Sequence, residues 1–203
     1  MTDAQFWTRE APAYAARPVG NVPAWDATLA RVRAWMPPEA EILEFGCGTG
    51  SSAIRLADAA AHITATDYAE GMIAQAKAKP APANLTFLTA APGDPTLAGR
   101  RFDMVMAFNL LHLIRDLDGT LAQMRDHLAP GGLLVTKSVC LGGRWRVFMP
   151  VIGALRLVGK APYVRFMTRA GLETAIDRAG FEILETGDYP ARPPSRLVIA
   201  RRI

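Results

Sequence analysis

Five residues, Gly46-Cys47-Gly48-Thr49-Gly50, join an apolar run to a helical pattern, and an acid follows one strand later. Glycine tolerates a tight turn and leaves no Cβ between the backbone and a ligand. A helix that starts straight after such a loop presents free N–H groups to a negatively charged ligand group. Asp67 lies 21 residues beyond Gly46, at the end of the next predicted strand. A carboxylate there accepts hydrogen bonds from two ribose hydroxyls. Glycines and acid together point to a nucleoside-containing ligand, for which NAD and S-adenosylmethionine both qualify.

Three features separate the two. The dinucleotide fingerprint needs glycines spaced G-x-G-x-x-G/A, whereas here the spacing is G-x-G-x-G, with Ser51 at the third fingerprint position. Glu44 stands two residues before Gly46. Its charge repels a pyrophosphate but suits an ammonium group. Pro130-Gly131-Gly132 precedes a fifth strand, and two further strands close the chain.

The elements that must position these residues alternate. Glu41–Phe45, His62–Thr66, Asn84–Leu88, Phe102–Phe108 and Leu133–Lys137 read as strands. Ser51–Ala60 and Gly71–Lys79 read as helices, the second stopped by Pro80 and Pro82. Leu117, Leu121, Met124 and Leu128 mark one face of another helix, which Pro130-Gly131-Gly132 is expected to end. Thr168–Ala179 is a helix with Thr168 as N-cap, and Phe181–Leu184 and Arg196–Ala200 are the final strands, separated by the Pro190, Pro193, Pro194 cluster. Alternating strands and helices predict a doubly wound, mostly parallel α/β sheet. Residues 1–40 form an N-terminal helical cap broken by Pro12, Pro18 and Pro23, and 140–168 is a substrate lid. The whole of 1–203 reads as one domain.

With these stretches on the page, the sequence resembles class I S-adenosylmethionine-dependent methyltransferases, in particular the group that includes quinone-biosynthesis C-methyltransferases. The resemblance rests on Ile42–Gly50, Ala65–Ile73, Phe102–Val105 and Leu128–Gly132. It implies a Rossmann-like seven-stranded sheet with an antiparallel terminal strand. It implies S-adenosylmethionine as cofactor and methyl transfer to a small molecule as the activity. Gly46 and Gly48 would approach the methionine part and Asp67 the ribose, with Tyr68 and Met72 beside the adenine; Glu44, Cys47 and Gly50 count with them as cofactor-binding. Tyr14, on the N-terminal helix, would cover the cofactor. The family's acid after the third strand falls at Ala90 or Ala91 here, so Asp94 or a backbone carbonyl is left to meet the adenine amine.

Phe108-Asn109-Leu110-Leu111-His112 ends the fourth strand, where ligands of parallel sheets bind. Asn109 is therefore a cofactor contact. His112 is the candidate general base, because its ordinary pKa lies near neutrality. The Asn/Asp-Pro-Pro-aromatic tetrapeptide of nucleobase amino-methyltransferases is absent, so no nucleic acid is expected. No metal is implied. A non-catalytic S-adenosylmethionine-binding protein and an NAD(P)-linked oxidoreductase are the alternatives.

Charge is uneven. The chain carries net +4, with 11 Lys/Arg against 5 Asp/Glu in residues 140–203 and 12 against 14 before them. Arg144, Arg146 and Arg165 among Trp145, Phe148, Met149, Tyr163, Phe166 and Met167 suit an amphipathic or anionic acceptor and peripheral contact with a membrane. The longest apolar stretch, Val147–Val158, is 12 residues and contains Arg156, shorter than the roughly 20 residues of a membrane span. Two cysteines and no leader pattern predict a cytoplasmic protein.

Overall fold

A computed structural model describes residues 2–203. Among these, the strands form one seven-stranded sheet in the order β3-β2-β1-β4-β5-β7-β6. They are β1 Glu41–Phe45, β2 His62–Asp67, β3 Leu85–Thr89, β4 Phe102–Phe108, β5 Leu128–Val139, β6 Phe181–Ala191 and β7 Pro194–Arg202. The first five run parallel, and β7 inserts antiparallel between β5 and β6. This is the predicted class and topology.

The strands are apolar on both faces because helices cover both. Leu43, Phe45, Val105 and Ala107 point to one core, which α5 (Leu117–Asp126) and α7 (Arg169–Arg178) close. Ile42, Met104, Met106 and Val135 point to the other, beneath α2 (Val22–Arg33), α3 (Ser51–Leu56) and α4 (Glu70–Lys77). The order of strands reverses between β1 and β4. That reversal opens a crevice at the carboxyl ends of the strands, beside the glycine loop.

Three expectations need correction. Pro12 does not break the N-terminal segment. It lies inside α1 (Asp3–Ala16), which a capping box of Thr2 and Gln5 begins. An interior proline costs about 3 kcal/mol, and here docking offsets it: Ala11 and Trp7 pack on Ala69 and Met72 of the α4 region. Leu128 does not continue α5. The helix ends at Asp126, His127 caps it, and Leu128 already pairs with Phe102 in the sheet. Pro130-Gly131-Gly132 therefore ends no helix but forms a bulge, since Met104 next pairs with Leu133. Gly131 takes φ 74° there, a left-handed value that favours glycine. Finally, Pro190 does not separate the last strands. It sits within β6, an edge strand where a missing N–H is tolerated.

The segment 140–168 forms a 3-10 turn (Gly143–Phe148) and α6 (Met149–Leu157), neither with a buried residue. No helix among the described residues is long and apolar enough to cross a membrane.

Candidate functional site

A cavity of about 450 Å³ opens above β1 and β4. Its floor is the glycine loop. Gly46, Gly48 and Gly50 have φ of 67°, 55° and 75°, so all three favour glycine on backbone grounds. Their surroundings differ. A Cβ on Gly46 would meet Leu110 at 2.8 Å, and one on Gly50 would meet Phe87 at 2.6 Å. A Cβ on Gly48 would find only Tyr14, at 4.0 Å. The first and last glycines serve internal packing, and the middle one keeps the cavity clear. Lys79 clips the loop from behind: its Nζ donates to Thr49 O at 2.6 Å, Thr49 Oγ1 at 3.0 Å and Ser51 Oγ at 3.0 Å.

Two carboxylates face this floor. Glu44 is 1% exposed, and its Oε2 is buried with no partner. Burial, and then the neighbouring Asp67, push its pKa up to about 8. Asp67 is better housed. Its Oδ2 accepts from Gly48 N at 3.0 Å and its Oδ1 from Ala69 N at 2.9 Å. Burial still raises its pKa, against the pull of those two bonds. Cys47 lines the cavity, and its thiol is pushed well up by burial. It is therefore no nucleophile at neutral pH.

The N-terminal arm supplies the opposite wall. Trp7, Tyr14, Arg17, Pro18 and Val19 all line the cavity. Burial raises the Tyr14 phenol. Tyr68 and Met72 line the far end, and Asn109 the end over β4. Asn109 holds a left-handed φ of 55°, and its N–H donates to Lys137 O at 2.7 Å.

The structure thus gathers Tyr14, Glu44, Gly46, Cys47, Gly48, Asp67, Tyr68, Met72 and Asn109 around one space, with Gly50 just beneath it. Two predicted residues stand elsewhere. Asp94 caps the 3-10 turn Pro95–Leu97, accepting from Thr96 N at 2.9 Å and Thr96 Oγ1 at 2.7 Å, and is absent from the cavity wall. His112 sits in the turn Leu111–Leu113. Leu110, Leu113 and Ile114 reach the cavity, whereas His112 does not. Its Nδ1 is buried without a partner, and burial lowers its pKa to about 4. A 3-10 turn rotates successive side chains by about a third of a circle, so Leu113 faces the cavity, Leu111 enters the core and His112 turns away. The expected lid is also displaced: no residue of 140–168 lines the cavity. Trp25, Ser52 and Lys79 were missed. Trp25 Nε1 donates to Ser52 Oγ at 3.1 Å, tying α2 to α3 at the rim. Nothing local in the sequence marks these long-range partners.

Known proteins share stretches of this sequence and this frame. Residues 42–132 match a family described as a methyltransferase domain. The chain is 32% identical over 155 residues to malonyl-[acyl-carrier protein] O-methyltransferase of Geobacter sulfurreducens, covering 73% of this chain and 58% of that protein. It is 28% identical over 152 residues to ubiquinone biosynthesis O-methyltransferase of Azorhizobium caulinodans, covering 71% and 59%. The chain thus spans less than two thirds of the length of these two relatives. The solved magnesium protoporphyrin IX methyltransferase of Synechocystis PCC 6803 with bound S-adenosylmethionine superposes with a TM-score of 0.71 at 19% identity, over 100% of this chain and 98% of that one. The chain therefore has the same α/β fold as that protein.

Proposed function

We propose that the chain binds S-adenosylmethionine in the 450 Å³ cavity and transfers its methyl group to a small acceptor. The observation that carries this is Glu44: a buried carboxylate oxygen without a partner, aimed at a cavity that Gly48 keeps open. A buried unpaired charge is expensive, and the ammonium of a bound amino acid moiety satisfies it. Asp67 keeps lone pairs for ribose hydroxyls while the Gly48 and Ala69 amides fix its orientation. Met72 and Tyr68 offer an apolar flank for the adenine, and Tyr14 covers the site from the arm. The named activities of the two curated relatives support the same reading.

The cofactor supplies an activated methyl group, open to in-line displacement. The chain's part is alignment and exclusion of water, worth several kcal/mol as entropy already lost on binding. His112, turned away from the cavity, is not the base. An acceptor that is already a good nucleophile needs none.

The acceptor is a small molecule, and no nucleic acid partner is invoked. Val147, Val151, Leu157 and Val158 are exposed, and no Asp or Glu occurs between Asp126 and Glu173. This supports peripheral contact with an anionic lipid surface. Free Cys47 and Cys140 fit a reducing compartment, and we place the protein in the cytoplasm.

Calorimetric titration with S-adenosylhomocysteine, S-adenosylmethionine and NAD tests the cofactor, and methyl transfer from labelled cofactor across a metabolite library tests the activity. Binding of the first two but not NAD is expected. Binding of NAD alone overturns the proposal.

A further inference from the structure

One cation of the fifth strand lies where the fold offers it no counter-charge. Lys137 is 8% exposed, and it faces α2 from the carboxyl end of β5. Its Nζ donates to Thr28 Oγ1 at 2.9 Å, and Thr28 Oγ1 donates onward to Ala24 O at 2.7 Å. This contact uses one of three ammonium hydrogens and supplies no negative charge. The charged groups on the neighbouring elements are engaged elsewhere. Glu185 of β6 binds Arg31 and accepts from Trp35 Nε1 at 2.9 Å. Asp26 and Arg33 of α2 pair with Arg55 and Asp58. Asp188 of β6 pairs with Arg169 and Arg196. Burial alone lowers the Lys137 pKa to about 8, with no opposing pull from any carboxylate.

Lys137 also borders a second cavity, of about 230 Å³, at the same end of the sheet. Asn109, Tyr189 and Ser195 supply polar atoms to its wall, which holds no carboxylate. Ser195 Oγ is buried and has no partner. Trp25, Val19 and Asn109 line both this chamber and the larger one, so the two adjoin at these residues. A buried ammonium without a counter-charge and a buried hydroxyl without a partner thus belong to residues that line one space beside the expected cofactor site.

We propose that the smaller chamber receives the methyl acceptor, and that this acceptor is a compact aromatic carboxylic acid whose carboxylate is held by Lys137 and Ser195. The inference rests on the methyltransferase reading of the larger cavity. A monoanion matches the single cation, whereas a phosphate dianion leaves one charge unpaired in a desolvated place. Trp25, Tyr189, Pro190 and Pro193 give the chamber flat apolar walls for a ring.

The test uses benzoate and its neutral isostere benzamide, titrated into protein saturated with S-adenosylhomocysteine and read by tryptophan fluorescence. Benzoate is expected to bind at least about tenfold more tightly than benzamide, the size of one charge-assisted hydrogen bond. Lys137→Met removes that preference. Binding of S-adenosylhomocysteine by the variant verifies that it is folded. In the unsubstituted protein, nitrogen NMR gives a second reading: benzoate raises the Lys137 amine pKa, and benzamide does not. Equal affinity for the two probes, no binding of benzoate, an amine unmoved by benzoate, or a preference that survives Lys137→Met overturns the inference while leaving the cofactor site intact. Failure of S-adenosylhomocysteine to bind at all brings down the underlying methyltransferase reading, and the inference with it.

Discussion

Two segments lie outside the sheet and look equally able to cover a site: the N-terminal arm and residues 140–168. Both are apolar and helical, yet only the arm reaches the cavity. The difference is a seat. Helix α1 approaches α4 so closely that a Cβ on Gly71 would stand 2.6 Å from Thr8 O. Ala11 and Phe6 are buried there, and Asp3 pairs with Arg115 at 3.0 Å. Helix α6 has no such contact. Val147 is 71% and Leu157 91% exposed. A few polar ties hold the segment, among them Gly142 N to Met167 O at 2.7 Å and Arg165 Nε to Ile114 O at 3.2 Å. Apolar composition alone does not make a lid. A matching depression in the body of the protein must receive it.

The sharpest way to break this contrast is to spoil the seat. Gly71→Val forces α1 away from α4, and overpacking of this kind costs about 1–3 kcal/mol. If Tyr14 and the arm close the cofactor site, S-adenosylhomocysteine affinity falls by up to about a hundredfold. Gly153→Val in α6 is the control, because a Cβ there meets nothing within 4 Å. It leaves affinity unchanged within about twofold. Calorimetry on the two variants decides the matter, and equal losses would mean that the arm covers nothing.

A smaller effect concerns the floor beneath the arm. Glu44 ionises near pH 8 in the folded chain, against an ordinary value of 4.5. The unfolded chain therefore gives up this proton first, and folding stability declines as pH rises from about 4.5 to 8. An ammonium bound beside Glu44 favours the carboxylate, so binding expels a proton. Affinity for S-adenosylhomocysteine then increases between pH 6 and 7.5 by up to about tenfold per pH unit. Glu44→Gln has no proton to expel. Its affinity is expected to stay flat over that range and to lie about tenfold or more below the parent at pH 7.5. A parent protein with a flat profile would sever Glu44 from the ligand.

How much of this was legible in the sequence depended on the distance over which each fact is encoded. Gly46, Gly48, Gly50 and Asp67 share two adjacent βα units, and local spacing alone brings them together. Glu44 was legible for the same reason, two residues from the first glycine on a strand of known facing. The orientation of His112 was not, because a single 3-10 turn decides whether it or Leu113 faces the cavity. Asp94 failed in a similar way: its carboxylate was claimed by Thr96, two residues on. Lys137 read as one more residue of a strand. Its solitude depends on Thr28, 109 residues away, and on Glu185 being taken by Arg31. The bulge at Pro130–Gly132 was mistaken for a helix stop because both uses need the same residues. Buried strand and helix face are equally apolar, so Leu128 fits either.

The mildest intervention acts on α6, where the contrast between the two segments makes its most exacting claim. If the exposed face of 143–158 belongs to neither core nor cavity, charge placed there costs the protein almost nothing. Val151→Glu with Leu157→Glu is expected to change unfolding stability by less than about 0.5 kcal/mol, the usual range for surface changes, and to leave S-adenosylhomocysteine affinity as it was. The pair still alters one property. Between Asp126 and Glu173 the chain carries basic residues and no acid, so two carboxylates at positions 151 and 157 remove both apolar contact and electrostatic attraction at an anionic bilayer. Sedimentation with phosphatidylglycerol vesicles should show the parent chain bound and the double variant largely free, with phosphatidylcholine vesicles retaining neither. A double variant that melts several degrees lower would show that α6 does have a seat. Equal vesicle binding by both proteins would show that the exposed face is not a membrane contact, leaving its apolar residues to be explained by a partner of another kind.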